Sequence, residues 1–272
     1  MNTGKAQLRV VVFTGGAVLE HDCLRFIARI AAEPGLQLVG VFCESDSPGV
    51  TGIIRDLWTR RRWLAALLLS QRGMRRATRI MTSPRAELAR RRTLRRISER
   101  VHFVPDLHAT PVLSRVAALR PDVGAVYGGP ILRPELFRIP LAGTLGIHHG
   151  RLPHYRGKKT TFWAMHNGEE SVGVAIQSIG SGLDRGDILR DAVLPTGLTP
   201  LPVMNRRLES LGLDLYIEAL RSVHAGTAVF RPQAAAGGPL YKDPGPGDIA
   251  RYWLKYLVML LKYRGAPRGS DV

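Results

Sequence analysis

LRVVVFTGG at residues 8–16, DCLRFIARIAA at 22–32 and LQLVGVF at 36–42 decide the fold, because the pattern changes from strand to helix and back to strand. Leu8 to Phe13 is apolar and β-branched, so it reads as a strand, and Gly15-Gly16 ends it as a turn. Leu24, Ile27, Ala28 and Ala31 recur at helical spacing until Pro34-Gly35 stops them, and Leu36 to Phe42 returns to strand composition. Strand, loop, helix and strand in that order open a doubly wound parallel sheet. The first loop holds glycines but no GxGxxG, so the dinucleotide fingerprint is absent.

Farther along the chain the alternation resumes. Val101 to Val104 reads as a strand, Pro111 to Leu119 as a helix and Val123 to Tyr127 as a strand closed by Gly128-Gly129-Pro130. A short helix is expected near Pro134 to Phe137, and a strand from Gly143 to His148. Thr161 to His166 suits a helix; Gly173 to Ile179 and Ile188 to Leu194 suit two strands able to pair; Thr199 to His224 is the longest helical pattern. Phe230 to Gly247, rich in glycine and proline, reads as a surface excursion before an amphipathic, basic-edged helix from Ile249 to Tyr263. The fold class is therefore α/β, a mostly parallel sheet with helices on both faces.

A formal charge of +17 would ordinarily point to nucleic acid, anionic lipid or a polyanionic substrate. Its distribution narrows that. Between Arg55 and Arg100 there are fifteen arginines and no lysine against Asp56, Glu87 and Glu99, a local excess of twelve that leaves only five for the rest of the chain. Helices near Ile53 to Leu69 and Pro84 to Ser98 are expected there, with Leu57, Trp58 and Leu64 on an apolar face. Three readings stay open for this segment: a solvated helical face, a platform for a polyanionic substrate, and attachment to anionic lipid together with residues 249–264. Dedicated nucleic-acid binding is not expected, since aromatic-basic interleaving is sparse.

Cys23 and Cys43 offer neither a disulfide framework nor a metal spacing, which suits a reducing, cytoplasmic compartment; the basic segments at 55–100 and 249–264 add a place peripheral to the inner face of a membrane as an open expectation. No apolar run approaches the roughly 18 residues of a spanning helix, and the N-terminal apolar run Val10 to Phe13 is too short for a secretory signal.

Three segments carry chemistry: GIHHGRLP at 146–153, HYRG at 154–157 and GLDRGDIL at 182–189. A strand that ends in His148 and breaks into a glycine-proline loop places an imidazole at the carboxyl edge of a parallel sheet, where open α/β folds hold ligands. These residues resemble the folate-dependent formyltransferase family, whose pattern runs Asn-x-His-Pro-Ser-Leu-Leu-Pro, a Tyr-Arg-Gly step, Asn-Gly before a Gly-Val-Thr strand, and Leu-Asp-x-Gly-Asp-Ile. This chain offers His148, Leu152-Pro153, Tyr155-Arg156-Gly157, Asn167-Gly168, Gly173-Val174 and Leu183 to Ile188 in that order. The match is dense from about Arg120 to Pro195 and in outline from Leu8 to Phe42.

The resemblance implies a Rossmann-like catalytic domain over about residues 1–225, with the Arg-rich stretch of about 51–100 as an insertion and 226–272 as a short extension. It implies a transferase of one-carbon metabolism that moves a formyl group from 10-formyltetrahydrofolate to an amine, without a metal. His148 would stabilise the developing oxyanion and Asp184 would take the amine proton through water. Gly150, Arg151, Leu152 and Pro153, with Gly182 and Leu183, would hold the folate, and Tyr127 to Leu132 would line the pterin pocket. The acceptor implied is a small anionic amine, a nucleotide-linked sugar or glycinamide ribonucleotide. Methionyl-tRNA is less expected, since residues 226–272 are few for the β-rich domain that usually follows in that enzyme.

One position departs from the pattern. Gly146 stands where the family has asparagine, and loss of one oxyanion donor typically costs about 100- to 1000-fold in rate. His149, Lys158 or Lys159 could fill the vacancy; otherwise the protein is a formyltetrahydrofolate hydrolase or a catalytically silent folate-binding or membrane-surface protein. Taken alone, His148 would read as a structural histidine and Asp184 as a turn residue. Asp187 reads as the structural one of the two acids. Lys158-Lys159 either steers an anion or is a solvated surface, and Arg156 either clamps an anion or makes a helix-start salt bridge.

Overall fold

Val10 to Phe13 are wholly buried at the centre of a sheet covered on both sides, which is why that stretch is apolar without alternation. The computed structural model describes residues 6–16, 21–45, 95, 97–234 and 237–265. The expected Arg-rich helices fall outside the described residues, apart from a short 3-10 turn at Ser98–Arg100.

The chain runs β1 (Leu8–Gly15), α1 (His21–Ala32), β2 (Leu36–Glu44), β3 (Val101–Val104), α2 (Thr110–Ala118), β4 (Val123–Val126), α3 (Pro134–Phe137) and β5 (Thr144–His148). It continues through β6 (Arg156–Gly157), α4 (Thr160–Asn167), β7 (Ser171–Ser178), β8 (Ile188–Pro195), α5 (Leu201–Ala225), β9 (Leu240–Tyr241) and α6 (Pro246–Gly265). Seven strands form one sheet in the order β3-β2-β1-β4-β5-β7-β8. The first five are mutually parallel, and β7 and β8 add antiparallel to β5 and to each other. The sheet is thus mostly parallel, Rossmann-like and helix-covered on both faces.

On one face Phe26 of α1 meets Tyr127 at 4.9 Å and Tyr216 of α5 at 4.6 Å between ring centroids. The buried Tyr216 hydroxyl donates to the Leu145 carbonyl at 2.7 Å, so the longest helix is tied to β5, the strand that ends in His148. The opposite face packs Val112 and Val116 of α2 and Leu136 and Phe137 of α3 against Val11, Phe13 and Phe42. Edge strand β8 begins with the buried Ile188 and Leu189 and then alternates half-buried and exposed residues from Arg190 to Pro195, as a strand open to water on one face should.

The stretch expected as a surface excursion is exposed or half-exposed over its described residues and is tied to the fold through its backbone. Arg231 exchanges backbone hydrogen bonds with Ile188, and β9 pairs in parallel with β6. Glycine is what admits it: a Cβ on Gly238 would lie 2.0 Å from the His154 carbonyl oxygen, and the Gly238 amide donates to the Pro153 carbonyl at 2.8 Å. Gly238 thus permits two backbones to touch.

Candidate active site

His148 is the last residue of β5, and its ring lies 7% exposed beneath the loop that follows. Nδ1 lies 3.3 Å from Asp184 Oδ1, and Nε2 lies 2.7 Å from the Tyr155 carbonyl oxygen. Both ring nitrogens therefore face acceptors, and a neutral imidazole can donate to only one of them. Gly150 makes this packing feasible, since a Cβ there would fall 2.4 Å from Tyr155 O and 2.6 Å from His148 Nε2.

Asp184 reaches the imidazole from the loop joining β7 to β8. Its backbone is left-handed, with φ of 53°, a region that aspartate tolerates better than most side chains. The loop is closed by Ser178 N donating to Asp187 O and by Asp187 N donating to Ser178 Oγ, both at 2.9 Å and both made by the Asp187 backbone. Gly186 is obligatory: a Cβ would overlap the Ser178 carbonyl oxygen at 1.7 Å. Asp184 Oδ2 accepts the Gly157 amide at 2.8 Å, and Oδ1 accepts Gln177 Nε2 at 3.2 Å. Burial pushes the carboxyl up, but the bond and charge of His148, the Gly157 amide and Gln177 together outweigh it, holding Asp184 below the ordinary carboxylate range.

The other residues singled out in the sequence divide into two groups. Gly182 and Leu183 precede Asp184, and the half-exposed Leu183 opens onto a cavity of about 350 Å³ shared with Gly157, Lys158, Leu240, Tyr241 and Lys242. Neither His148 nor Asp184 lines that cavity; Gly157 and Leu183 connect it to the pair. Arg151 runs the other way, along β7 to Ser171 Oγ at 3.3 Å and Glu169 at 3.8 Å, while Leu152 and Pro153 form the turn between them. Tyr127 and Leu132 are buried in the core clusters on opposite faces of the sheet.

Two expectations about charged groups are corrected by the geometry. Arg156 is neither an anion clamp nor a helix-start salt bridge; it is buried, and its Nε and Nη2 donate to the Gly238 carbonyl at 3.2 and 2.6 Å. His149 and Lys158 do not fill the vacancy at Gly146, because His149 Nε2 turns to Glu209 at 3.3 Å and Lys158 Nζ to Asp243 at 3.2 Å. The space beside Gly146 is taken by Ile179, whose Cδ1 lies 2.6 Å from where a Cβ would stand.

Sequence reasoning missed the amides behind Asp184. Gln177 stands opposite Gly146 in the β5–β7 register and is 3% exposed. Its Oε1 accepts Gln233 Nε2 at 3.1 Å, which turns its own Nε2 toward Asp184. A glutamine inside the apolar strand GVAIQS was the available signal. Among the described residues, Glu44, Asp106 and His108 also bring candidate metal ligands within 4.8 Å. Each is already engaged: Glu44 accepts the Leu107 amide, Asp106 the His108 amide, and His108 Nε2 the Arg133 amide.

Residues 79–220 match the family model described as formyl transferase. Methionyl-tRNA formyltransferase from Pelotomaculum thermopropionicum is 35% identical over 143 residues, 52% of this chain and 44% of that protein. The chain therefore spans under half of that relative's length. Glycinamide ribonucleotide transformylase 1 from Symbiobacterium toebii shares the fold with a TM-score of 0.57 at 18% identity, over 84% of this chain and 95% of that one. HypX from Aquifex aeolicus in complex with tetrahydrofolic acid does so with a TM-score of 0.53 at 15% identity, over 88% and 30%.

Proposed function

The chain belongs to the formyl transferase family, and from that premise we propose that it moves a formyl group from 10-formyltetrahydrofolate to the amine of a small anionic acceptor. The observation that carries this is the 3.3 Å approach of His148 to Asp184, residues 36 apart in sequence, at the carboxyl edge of parallel strands. The donor brings the activated formyl carbon; the protein must stabilise charge and take a proton.

As the amine attacks, negative charge grows on the formyl oxygen, and His148 is the donor beside it. Its Nε2 is held by the Tyr155 carbonyl at 2.7 Å, so that nitrogen serves a substrate oxygen only when this bond is shared or lengthened. Asp184, ionised at neutral pH, accepts the amine proton through water and keeps the imidazole oriented. As the tetrahedral intermediate collapses, the bond from the formyl carbon to N10 breaks and N10 takes up a proton through the same water, so that tetrahydrofolate leaves. Gly150 to Pro153 on one side and Gly182-Leu183 on the other are the segments proposed to hold the donor. The cavity of about 350 Å³ beside Leu183 falls in the usual range for small ligands. Leu183, Leu240 and Tyr241 give it apolar and aromatic walls; Lys158 and Asp243, both in its lining, pair at 3.2 Å, so the net positive charge that favours an anionic ligand is that of Lys242. Nucleotide-linked amino sugars and glycinamide ribonucleotide satisfy that charge.

Single-turnover reactions with formyl-labelled donor test the reading, with amino-sugar nucleotides, glycinamide ribonucleotide and methionyl-tRNA supplied separately. Label on a small anionic amine is the expected result. Label on the tRNA would correct the acceptor, and formate released without any amine would make the protein a hydrolase. Failure of a non-reactive donor analogue to bind in calorimetry would overturn the proposal.

A further inference from the structure

Helix α6 has one side against the body and another side bare. Tyr252 is buried against Phe162, with ring centroids 5.3 Å apart, and the Tyr256 hydroxyl donates to the Leu198 carbonyl at 3.1 Å, which fixes the inward face. Trp253, Leu254, Leu257, Val258 and Leu261 are all exposed, Leu254 by 62%, Leu257 by 53% and Leu261 by 60%. At 3.6 residues per turn these five fall in a stripe about 140° wide, away from Tyr252 and Tyr256. Apolar groups of that size normally lie inside a fold, so a continuous exposed stripe needs an occupant.

Arg251 and Lys255, both exposed, border the stripe on one edge. Arg251 pairs with Asp248 at 2.7 Å and Lys255 donates to the His166 carbonyl at 2.9 Å, contacts that leave each with further donors. Between Asp248 and Asp271 the sequence has no acidic residue and five basic ones, Arg251, Lys255, Lys262, Arg264 and Arg268.

We propose that α6 seats this protein on the surface of an anionic lipid bilayer. Charge decides among occupants. A second copy would bring another chain of charge +17 against the first. A nucleic acid would answer the charge but leave five apolar side chains facing phosphate and water. A bilayer with anionic headgroups takes both: acyl chains receive the stripe, and headgroups meet the Arg251-Lys255 edge. Trp253 at the margin of the stripe is the residue type favoured at the headgroup boundary. Among the described residues no helix is long and apolar enough to cross a membrane, so α6 lies along the surface. The fifteen arginines between Arg55 and Arg100 add to the attraction of the whole chain for such a surface.

Cosedimentation of the full chain with sucrose-loaded vesicles tests this. The protein pellets with vesicles containing roughly one part in three phosphatidylglycerol, and its partitioning falls at least about tenfold on pure phosphatidylcholine or at high salt. The paired change Leu254→Glu and Leu257→Glu lowers partitioning by about 100-fold, with melting temperature and formyl transfer unaltered because neither side chain touches the site. Absence of pelleting, or equal pelleting by the variant, overturns the proposal. So does a dimer in lipid-free sedimentation that the paired change makes monomeric, which would assign the stripe to a second copy.

Discussion

Gln233 Nε2 lies 3.2 Å from the carbonyl oxygen of Asp184, fastening the loop that carries the carboxylate to a segment beyond α5. The same amide reaches Gly186 O at 2.6 Å and Gln177 Oε1 at 3.1 Å. The family match ends at residue 220, so the groups on the Asp184 carboxylate, His148, Gly157 and Gln177, lie within the matched region, and Gln233, which holds its backbone carbonyl, lies outside it.

Gln233→Ala is therefore expected to lower kcat by about 10- to 100-fold, because catalytic groups displaced by as little as an ångström lose rate on that scale. Donor binding, measured by calorimetry, stays within about twofold, since Gln233 is proposed to position the carboxylate and not to touch the donor. Gln233→Asn should recover little, its side chain being one methylene shorter. If binding and melting temperature fall together while kcat at saturation holds, Gln233 is structural only.

Gly146→Asn restores the residue type of the family but meets Ile179 Cδ1 at 2.6 Å. The single change should destabilise by about 1–3 kcal/mol through overpacking. Adding Ile179→Ala opens the space, and the double variant should regain most of that stability and transfer formyl groups about tenfold or more faster than the parent, by supplying an oxyanion donor. Thermal melts with single-turnover rates check both halves. A stable double variant with no gain in rate would show that His148 already meets the need for a donor.

Sheet and helices were legible because burial imposes its own period: β1 reads as an apolar run over Val10 to Phe13 and α1 as Leu24 and Ile27 on its buried side, although Ala31, at the same spacing, is exposed. The convergence of His148 with Asp184 was legible only through linked motifs, since neither residue has a spacing that announces the other. Contacts with backbone atoms were not legible at all. Arg156 spends its guanidinium on the carbonyl of Gly238, 82 residues away, and His148 Nε2 meets the carbonyl of Tyr155; a carbonyl has no letter in a sequence. Gln177 and Gln233 were missed for a related reason, because the partners of these neutral amides, the Asp184 carboxylate and two backbone carbonyls, leave no pattern of charge in the sequence.

Gly150→Ala should abolish more activity than its size suggests. The added methyl has Tyr155 O at 2.4 Å and His148 Nε2 at 2.6 Å as neighbours, so either the loop or the ring must move. Formyl transfer is expected to fall by about 100-fold or more, while far-ultraviolet circular dichroism is unchanged because the loop lies outside the sheet. The histidine NMR signals should report the cause: the His148 imidazole resonance shifts, whereas that of His108, bonded to the Arg133 amide, does not. An unmoved His148 signal with full activity would contradict the packing described.

Asp184→Asn separates chemistry from stability through pH. The folded carboxyl has a pKa below its unfolded value, so the unfolded chain binds more protons on this group in the acid range. Its contribution to stability is accordingly complete above about pH 4, the unfolded value of an aspartate, and is lost as pH falls through the depressed folded value. At neutral pH the variant should be less stable than the parent by about 1–3 kcal/mol, the scale for disturbing a buried hydrogen-bonded group. In denaturant titrations that gap should narrow as the medium is taken from about pH 4 down through the depressed folded value, below which the parent's carboxyl is neutral too. Formyl transfer at neutral pH should fall by about 100- to 10,000-fold, the range for a lost general base. A stability gap that widens in acid would mean that the carboxyl is favoured protonated in the fold, and Asp184 would then be an acid held neutral and no acceptor for the amine proton.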